Sequence, residues 1–453
     1  MINRQAWAGE WDWRARWRRL WDSDFARHAF MLSAGGGVAQ FIVLALSPAI
    51  ARLYSPEAFG VFAIYAALAS LLAVVATGQY EKVLMLPRYH RQGACLLLFV
   101  ILLCPVVALI LGLPLVIFRS SLAALIGEPR LALYLWALPL SVMLIGWYQV
   151  LRFWAIRRVA FADVAFNAVT RATTGAVLAC LMGIWPPFPG APEGGLIFSQ
   201  ILGEGLGNVL LAWRIQRRDP TLLAWPGWRR LLATARRWRA LALSYAAGQG
   251  IAQCYGRLPV LAIGWLFGPS VAGLYAWAER FMGLPSLVEV AIGDVYRQRA
   301  TVEYHRNGRF DWLMRRTFLA TTVLAVAPYA VGIALAPTLF ALLFGPVWRE
   351  AGQITQILLV GGFFAFIITP IDKAILILQR TRYILGWHLA RLVLKVGAVG
   401  ATALLALSLA TFLWLIVLAR IGLYIVDLAY SYHLAKGRTC DPTKYRMLRG
   451  GAR

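Results

Sequence analysis

The chain of 453 residues is 60% hydrophobic and only 14% charged, yet it carries a formal net charge of +25. That balance excludes a soluble globular protein of this length. Charge-free apolar windows at 94–118, 317–345 and 401–419 also exclude a barrel, whose strands alternate over about 10 residues. Backbone groups in hydrocarbon must be satisfied within their own segment, so the chain is expected to be an all-α integral membrane protein.

In chain order, residues 1–29 form a cytoplasmic segment in which Trp7, Trp11, Trp13, Trp17 and Trp21 interleave with Arg14, Arg16, Arg18 and Arg19. Trp13, Trp17, Leu20 and Trp21 share a helical face, as suits a helix lying in the headgroup layer. Arg14 and Glu10 interrupt that face, so a disordered basic tail is the competing reading. No cleavable signal is expected, since no apolar core precedes Phe30. About 20 apolar residues cross a bilayer, and twelve such spans follow, at 30–51, 59–79, 94–118, 131–151, 165–185, 195–213, 241–266, 271–294, 317–345, 353–378, 383–404 and 407–432. This predicts a first six-helix lobe over 30–213, a basic cytoplasmic linker over 214–240, a second six-helix lobe over 241–433 and a basic tail over 434–453.

The two lobes repeat one another. Ser55-Pro56-Glu57-Ala58-Phe59-Gly60-Val61-Phe62-Ala63 is echoed, proline, glycine, aromatic and alanine in register, by Gly268-Pro269-Ser270-Val271-Ala272-Gly273-Leu274-Tyr275-Ala276. Glu81 follows Gly60 at the same interval as Asp294 follows Gly273. An apolar chain that repeats once predicts two facing bundles with a site at their interface.

Charge placement sets the orientation. Alternate loops and the two termini hold 34 of the 45 Lys and Arg residues, the opposite loops hold 4, and seven lie inside spans. Positive charge collects on the cytoplasmic side, so both termini are expected there, with the basic surface facing anionic headgroups. A nucleic-acid partner is not expected. Cys95, Cys104, Cys180, Cys254 and Cys440 have no metal or redox spacing. No phosphate-cradling glycine loop, nucleophile elbow or paired-histidine motif occurs. Neither enzyme chemistry, cofactor nor metal is expected.

What remains is charge inside the bilayer, where each ionised side chain costs at least about 2.5–3.5 kcal/mol and is therefore paired or functional. These are Arg171, Glu204, Arg257, Glu279, Arg280, Glu289, Asp372, Lys373, Arg391, Lys395, Arg420 and Asp427, with Arg52, Glu81 and Asp294 near span ends. Arg391 and Lys395 are four apart on one helix face with His388. They predict a cationic strip in a water-filled cavity, against the competing reading of ion pairs with Asp372 or Glu204. Arg52, Arg257, Arg391 and Lys395 are the candidate anion-binding residues. Glu81, Glu204 and Asp294 are the candidate ion-coupling carboxylates. Gly248, Gly250, Gly256 and Pro259 loosen span 7 and are candidate hinge positions, with a static kink as the alternative.

At Pro48, Arg52-Leu53-Tyr54-Ser55-Pro56-Glu57-Ala58-Phe59-Gly60, Phe62, Tyr80-Glu81 and Leu86-Pro87 the chain resembles bacterial Wzx-type oligosaccharide flippases. These belong to the multidrug/oligosaccharidyl-lipid/polysaccharide (MOP) flippase superfamily. In the second half Leu258-Pro259, Phe267-Gly268-Pro269, Gly273-Leu274-Tyr275-Ala276 and Leu284-Pro285 agree with it. The Trp/Arg-rich N-terminus and Gln79 before Tyr80-Glu81 depart from it. The resemblance implies a two-lobed bundle of 12 helices around a central cavity lined by spans 1, 2, 7 and 8. It implies a polyprenyl-pyrophosphate-linked oligosaccharide as substrate, moved to the outer leaflet of the bacterial inner membrane for surface polysaccharide synthesis. Glycosyltransferases or a polymerase of that pathway are its expected partners. The alternatives are a multidrug or small-solute antiporter on the same scaffold, and a non-transporting scaffold for glycosyltransferases.

Overall fold

The computed structural model describes residues 24–187, 190–220, 225–372 and 381–436. The Trp/Arg segment, Lys373 and Cys440 lie outside the described residues. The long helices are α1 (Asp24–Leu53), α2 (Pro56–Ala76), α3 (His90–Ile117), α4 (Leu138–Arg157), α5 (Phe161–Ile184), α6 (Glu193–Arg218), α7 (Trp228–Phe267), α8 (Pro269–Met282), α9 (Leu284–Asn307), α10 (Asp311–Phe344), α11 (Arg349–Ile368), α12 (Thr381–Leu405) and α13 (Leu409–Ala435). Within the described residues, each of the twelve expected spans is mainly helical. Span 8 is split at Gly283 into α8 and α9.

Local chemistry sets the boundaries. At the start of α2 the Ser55 side chain accepts a hydrogen bond from the Ala58 amide, Pro56 stands at the first helical turn and Glu57 meets the positive end of the helix dipole. The end of α2 is a sharp corner: Gly78 and Gln79 both take left-handed backbone angles, φ +54 and +58. A short helix, Tyr80–Val83, follows. Ser408 caps α13 as Ser55 caps α2.

Ten of these segments are long and apolar enough to cross a membrane, so the chain is a multi-pass membrane protein. The helices that fall short of that apolarity are α7 and the α8–α9 pair. They carry Arg257, Glu279, Arg280, Glu289 and Asp294, and α7 and α8 pack against α2 of the first lobe.

The sequence repeat is that joint. α2 and α8 cross so closely that a Cβ on Gly60 would stand 1.7 Å from the Pro269 carbonyl oxygen, and a Cβ on Gly273 1.8 Å from that of Pro56. The contact is reciprocal: each motif supplies the glycine that admits the other's proline. Small residues let membrane helices approach to backbone contact. Around the crossing, Phe59, Trp277 and Trp348 pack ring on ring at 4.6–5.4 Å, and the buried Trp348 indole donates to the Ala51 carbonyl at 2.9 Å. This aromatic plug closes the end of the molecule that carries the α1–α2 and α7–α8 turns. The opposite end is the basic one.

Candidate functional site

Beneath the plug lies a cavity of about 870 Å³. Its walls come from α1, α2, α4, α5 and α6 of the first lobe and from α7 and α8 of the second. The four spans named from the resemblance line it, joined by three more from the first lobe. Two walls are opposed in character. On the first-lobe side Arg171 lies over the Tyr148 ring at 3.8 Å and donates to Glu204 at 3.2 Å, a bond Glu204 shares with Gln200. That pair is neutral and closed.

On the second-lobe side the charges are unbalanced. Arg257 and Arg280 line the cavity with Glu279. Among the described residues no carboxylate lies within ion-pairing distance of either arginine. Arg280 instead covers the Trp277 ring at 5.3 Å. Behind α7, Lys395 stands 3.6 Å and Arg391 4.5 Å from the centre of the Tyr255 ring. Lys395 also donates to the Tyr255 carbonyl at 2.9 Å. Arg420, from α13, joins this cluster and donates to the Tyr424 hydroxyl at 2.9 Å. Arg257, Lys395 and Arg420 all lie within electrostatic reach of the single Glu279 carboxyl. Three cations, Arg257, Lys395 and Arg420, therefore share that one acid, while Arg391 lies within electrostatic reach of Asp427.

The candidate residues sort as follows. Arg257, Arg391 and Lys395 come together around Tyr255 and Glu279. The competing reading, pairing of Arg391 and Lys395 with Asp372 or Glu204, does not occur among the described ion pairs. Arg52 stands apart, exposed in the last turn of α1 and outside the cavity wall. Glu204 is taken by Arg171. Asp294 is exposed on α9 and paired with Arg297 at 3.1 Å. Glu81, beyond the end of α2, is wholly buried, and neither carboxyl oxygen meets a donor among the described residues. Burial lifts its carboxyl above the usual carboxylate range, against the smaller pull of nearby hydrogen bonds and Lys82. Helix α7 runs unbroken through Gly248, Gly250, Gly256 and Pro259, with open space beside each of the three glycines; the interruption falls at Gly283 instead.

Arg171, Arg280 and Arg420 stood in the sequence reading only as intramembrane charges, not as candidate site residues.

A family model described as "Polysaccharide biosynthesis protein" matches residues 49–353. The chain is 26% identical over 389 residues to the succinoglycan biosynthesis transport protein ExoT of Rhizobium meliloti (strain 1021), covering 83% of this chain and 74% of that protein. Among solved structures it is similar to the lipid II flippase MurJ in an inward closed conformation (TM-score 0.68, 14% identity, 89% of this chain and 86% of that one). It is also similar to a multidrug resistance MATE family transporter of the MOP superfamily, inward-facing (TM-score 0.61, 13% identity, 93% and 96%). At these identities the two structures speak to the fold alone.

Proposed function

The chain belongs to the polysaccharide biosynthesis protein family of MOP-type transporters, and from that premise we propose that it is a flippase for a polyprenyl-pyrophosphate-linked oligosaccharide. It works in the bacterial inner membrane with both termini cytoplasmic and passes its cargo to the outer leaflet. The observation that supports the reading is the second lobe, where Arg257 and Arg280 line the cavity and Arg257, Lys395 and Arg420 share the Glu279 carboxyl. A sugar–pyrophosphate head is polar and anionic. Moving it bare through hydrocarbon is prohibitive, and fixed cations at mid-depth lower that barrier. The cavity volume of about 870 Å³ lies in the range of sites that enclose a head of a few rings. Trp277 offers an aromatic face on its wall. The prenyl tail stays in lipid while the head crosses. An inside-negative potential of 100 mV contributes about 2.3 kcal/mol per exported negative charge, so two charges gain roughly 4–5 kcal/mol on the outward route.

The test is transport in vesicles. The purified full chain, reconstituted with a fluorescently labelled polyprenyl-pyrophosphate oligosaccharide, should expose the label to an impermeant quencher. Arg257→Ala should slow that exposure by tenfold or more while leaving protein yield and vesicle insertion intact. Equal rates in the two proteins sink the assignment of Arg257, and absence of transport by the parent sinks the flippase reading. A multidrug antiporter on this scaffold would instead move cationic dyes, which the basic wall disfavours.

A further inference from the structure

Three of the second-lobe cations stand behind the cavity wall. Arg391, Lys395 and Arg420 line a separate void of about 10 Å³, closed by Tyr255 and by apolar side chains that include Leu394 and Leu423. None of the three lines the large cavity. Helix α7 is the partition: Tyr255 lines the small void, while Gly256 and Arg257 line the large one.

The lining of the small void contains three cations and no carboxylate. Arg391 and Lys395 are one turn apart on α12, so like charges are stacked on one face. Among the described residues none of the three belongs to an ion pair. What they touch is uncharged: the Tyr255 ring, the Tyr255 carbonyl and the Tyr424 hydroxyl. Such groups attract a cation but carry no net charge. The acids within electrostatic reach lie outside the void and have other partners. Glu279 is shared by Lys395, Arg420 and Arg257, and Asp427, near Arg391, accepts a hydrogen bond from the Tyr383 hydroxyl. Fixed positive charge at this depth is costly unless an anion accompanies it. The volume sets the size of that anion, since a void of this kind admits about one water-sized sphere.

We propose that the void binds one monatomic anion, a halide and above all chloride, held between Arg391, Lys395 and Arg420. Its size excludes a diphosphate, a sugar or a carboxylate solute. The apolar remainder of the lining suits an ion that gives up its water readily, as chloride and bromide do more than fluoride. The anion is a counter-ion that ties α12 to α13 behind Tyr255 of α7. The site goes beyond the flippase reading and does not depend on it, since the cargo head proposed above is placed against Arg257 and Arg280 in the large cavity.

Halide binding can be read on the purified full chain in lipid nanodiscs, dialysed into gluconate at constant ionic strength. Chloride added back should show an NMR line broadened saturably beyond the effect of empty nanodiscs, and bromide should remove the broadening by displacement. The melting temperature should rise over the same chloride range, because a ligand of the folded state stabilises it. Ala419→Leu, at the void wall, fills the space and keeps every charge; it should abolish the specific broadening. Lys395→Met should weaken chloride binding about tenfold or more, the loss expected when one hydrogen bond to a charged group goes. Saturating inorganic pyrophosphate should leave the halide in place. The proposal is overturned if the broadening does not saturate or if Ala419→Leu binds chloride as the parent does. It is equally overturned if pyrophosphate displaces chloride, which would return the three cations to the cargo site. None of these measurements uses transport, so failure of the vesicle assay and failure of the halide titration are separate results.

Discussion

The two lobes are charged differently. In the first, α5 and α6 bring Arg171 and Glu204 together at 3.2 Å. In the second, α12 and α13 carry Arg391 and Arg420, two cations that line one small pocket with Lys395. The packing differs in the same sense. A Cβ on Gly203 would meet the backbone of Gly175 and Arg171 at 3.0–3.1 Å, and one on Gly207 would meet Arg171 at 2.3 Å. Gly397, Gly400 and Gly422 in the second lobe have nothing within 4 Å. At α5 and α6 the first lobe is tight and ion-paired, where α12 and α13 of the second are loose and basic.

That contrast can be broken at its root. Gly60→Val and Gly273→Val should each cost more than about 3 kcal/mol, because both place a side chain inside a backbone carbonyl. The two should be alike, since the crossing is reciprocal, and both should read out as loss of monodisperse protein on size exclusion. Next in size, Glu204→Gln leaves Arg171 without its counter-charge. Breaking a buried pair costs about 3–5 kcal/mol, and the lower end applies because the Arg171 side chain is 23% exposed. The double variant Arg171→Gln/Glu204→Gln should recover most of the lost melting temperature. Arg420→Glu would place an acid in the pocket of Arg391, as Glu204 stands beside Arg171. It should leave the fold intact and weaken binding of inorganic pyrophosphate by tenfold or more, measured by calorimetry.

A pH effect follows from Glu81. A carboxyl raised in the folded state favours folding below its ordinary value of 4.5, and that contribution is lost as pH climbs through the raised value. The folding free energy of the parent should therefore fall as pH rises above the ordinary carboxylate range, and Glu81→Gln should flatten that dependence. The smallest effect belongs to Gly422→Ala, which should stay within about 0.5 kcal/mol of the parent. Gly207→Ala, on the crowded face against Arg171, should not.

Much of this was legible in the chain. Apolar length and the alternation of basic loops marked the spans, and the Gly60/Gly273 echo marked the joint. Arg257, Arg391 and Lys395 were picked out because charge in a span is costly wherever it points. Arg52 was picked on the same ground and lies outside the cavity, because a span-end residue can turn either way and sequence does not record which. Glu204 looked like a free carboxylate until its distance from Arg171 was known. The candidate hinge positions of α7 lie in a continuous helix with open space beside the three glycines.

The amino-acid order by itself determined that this protein spans a membrane as helices, that it is built twice, and that it keeps cations at depth. Those follow from solvation costs, which each segment meets locally. Which cations are neutralised, which glycines are crowded and which carboxylate is stranded were decided only by the tertiary structure. They depend on distances between residues up to about three hundred positions apart, such as Trp348 and Ala51, and no local rule carries that information.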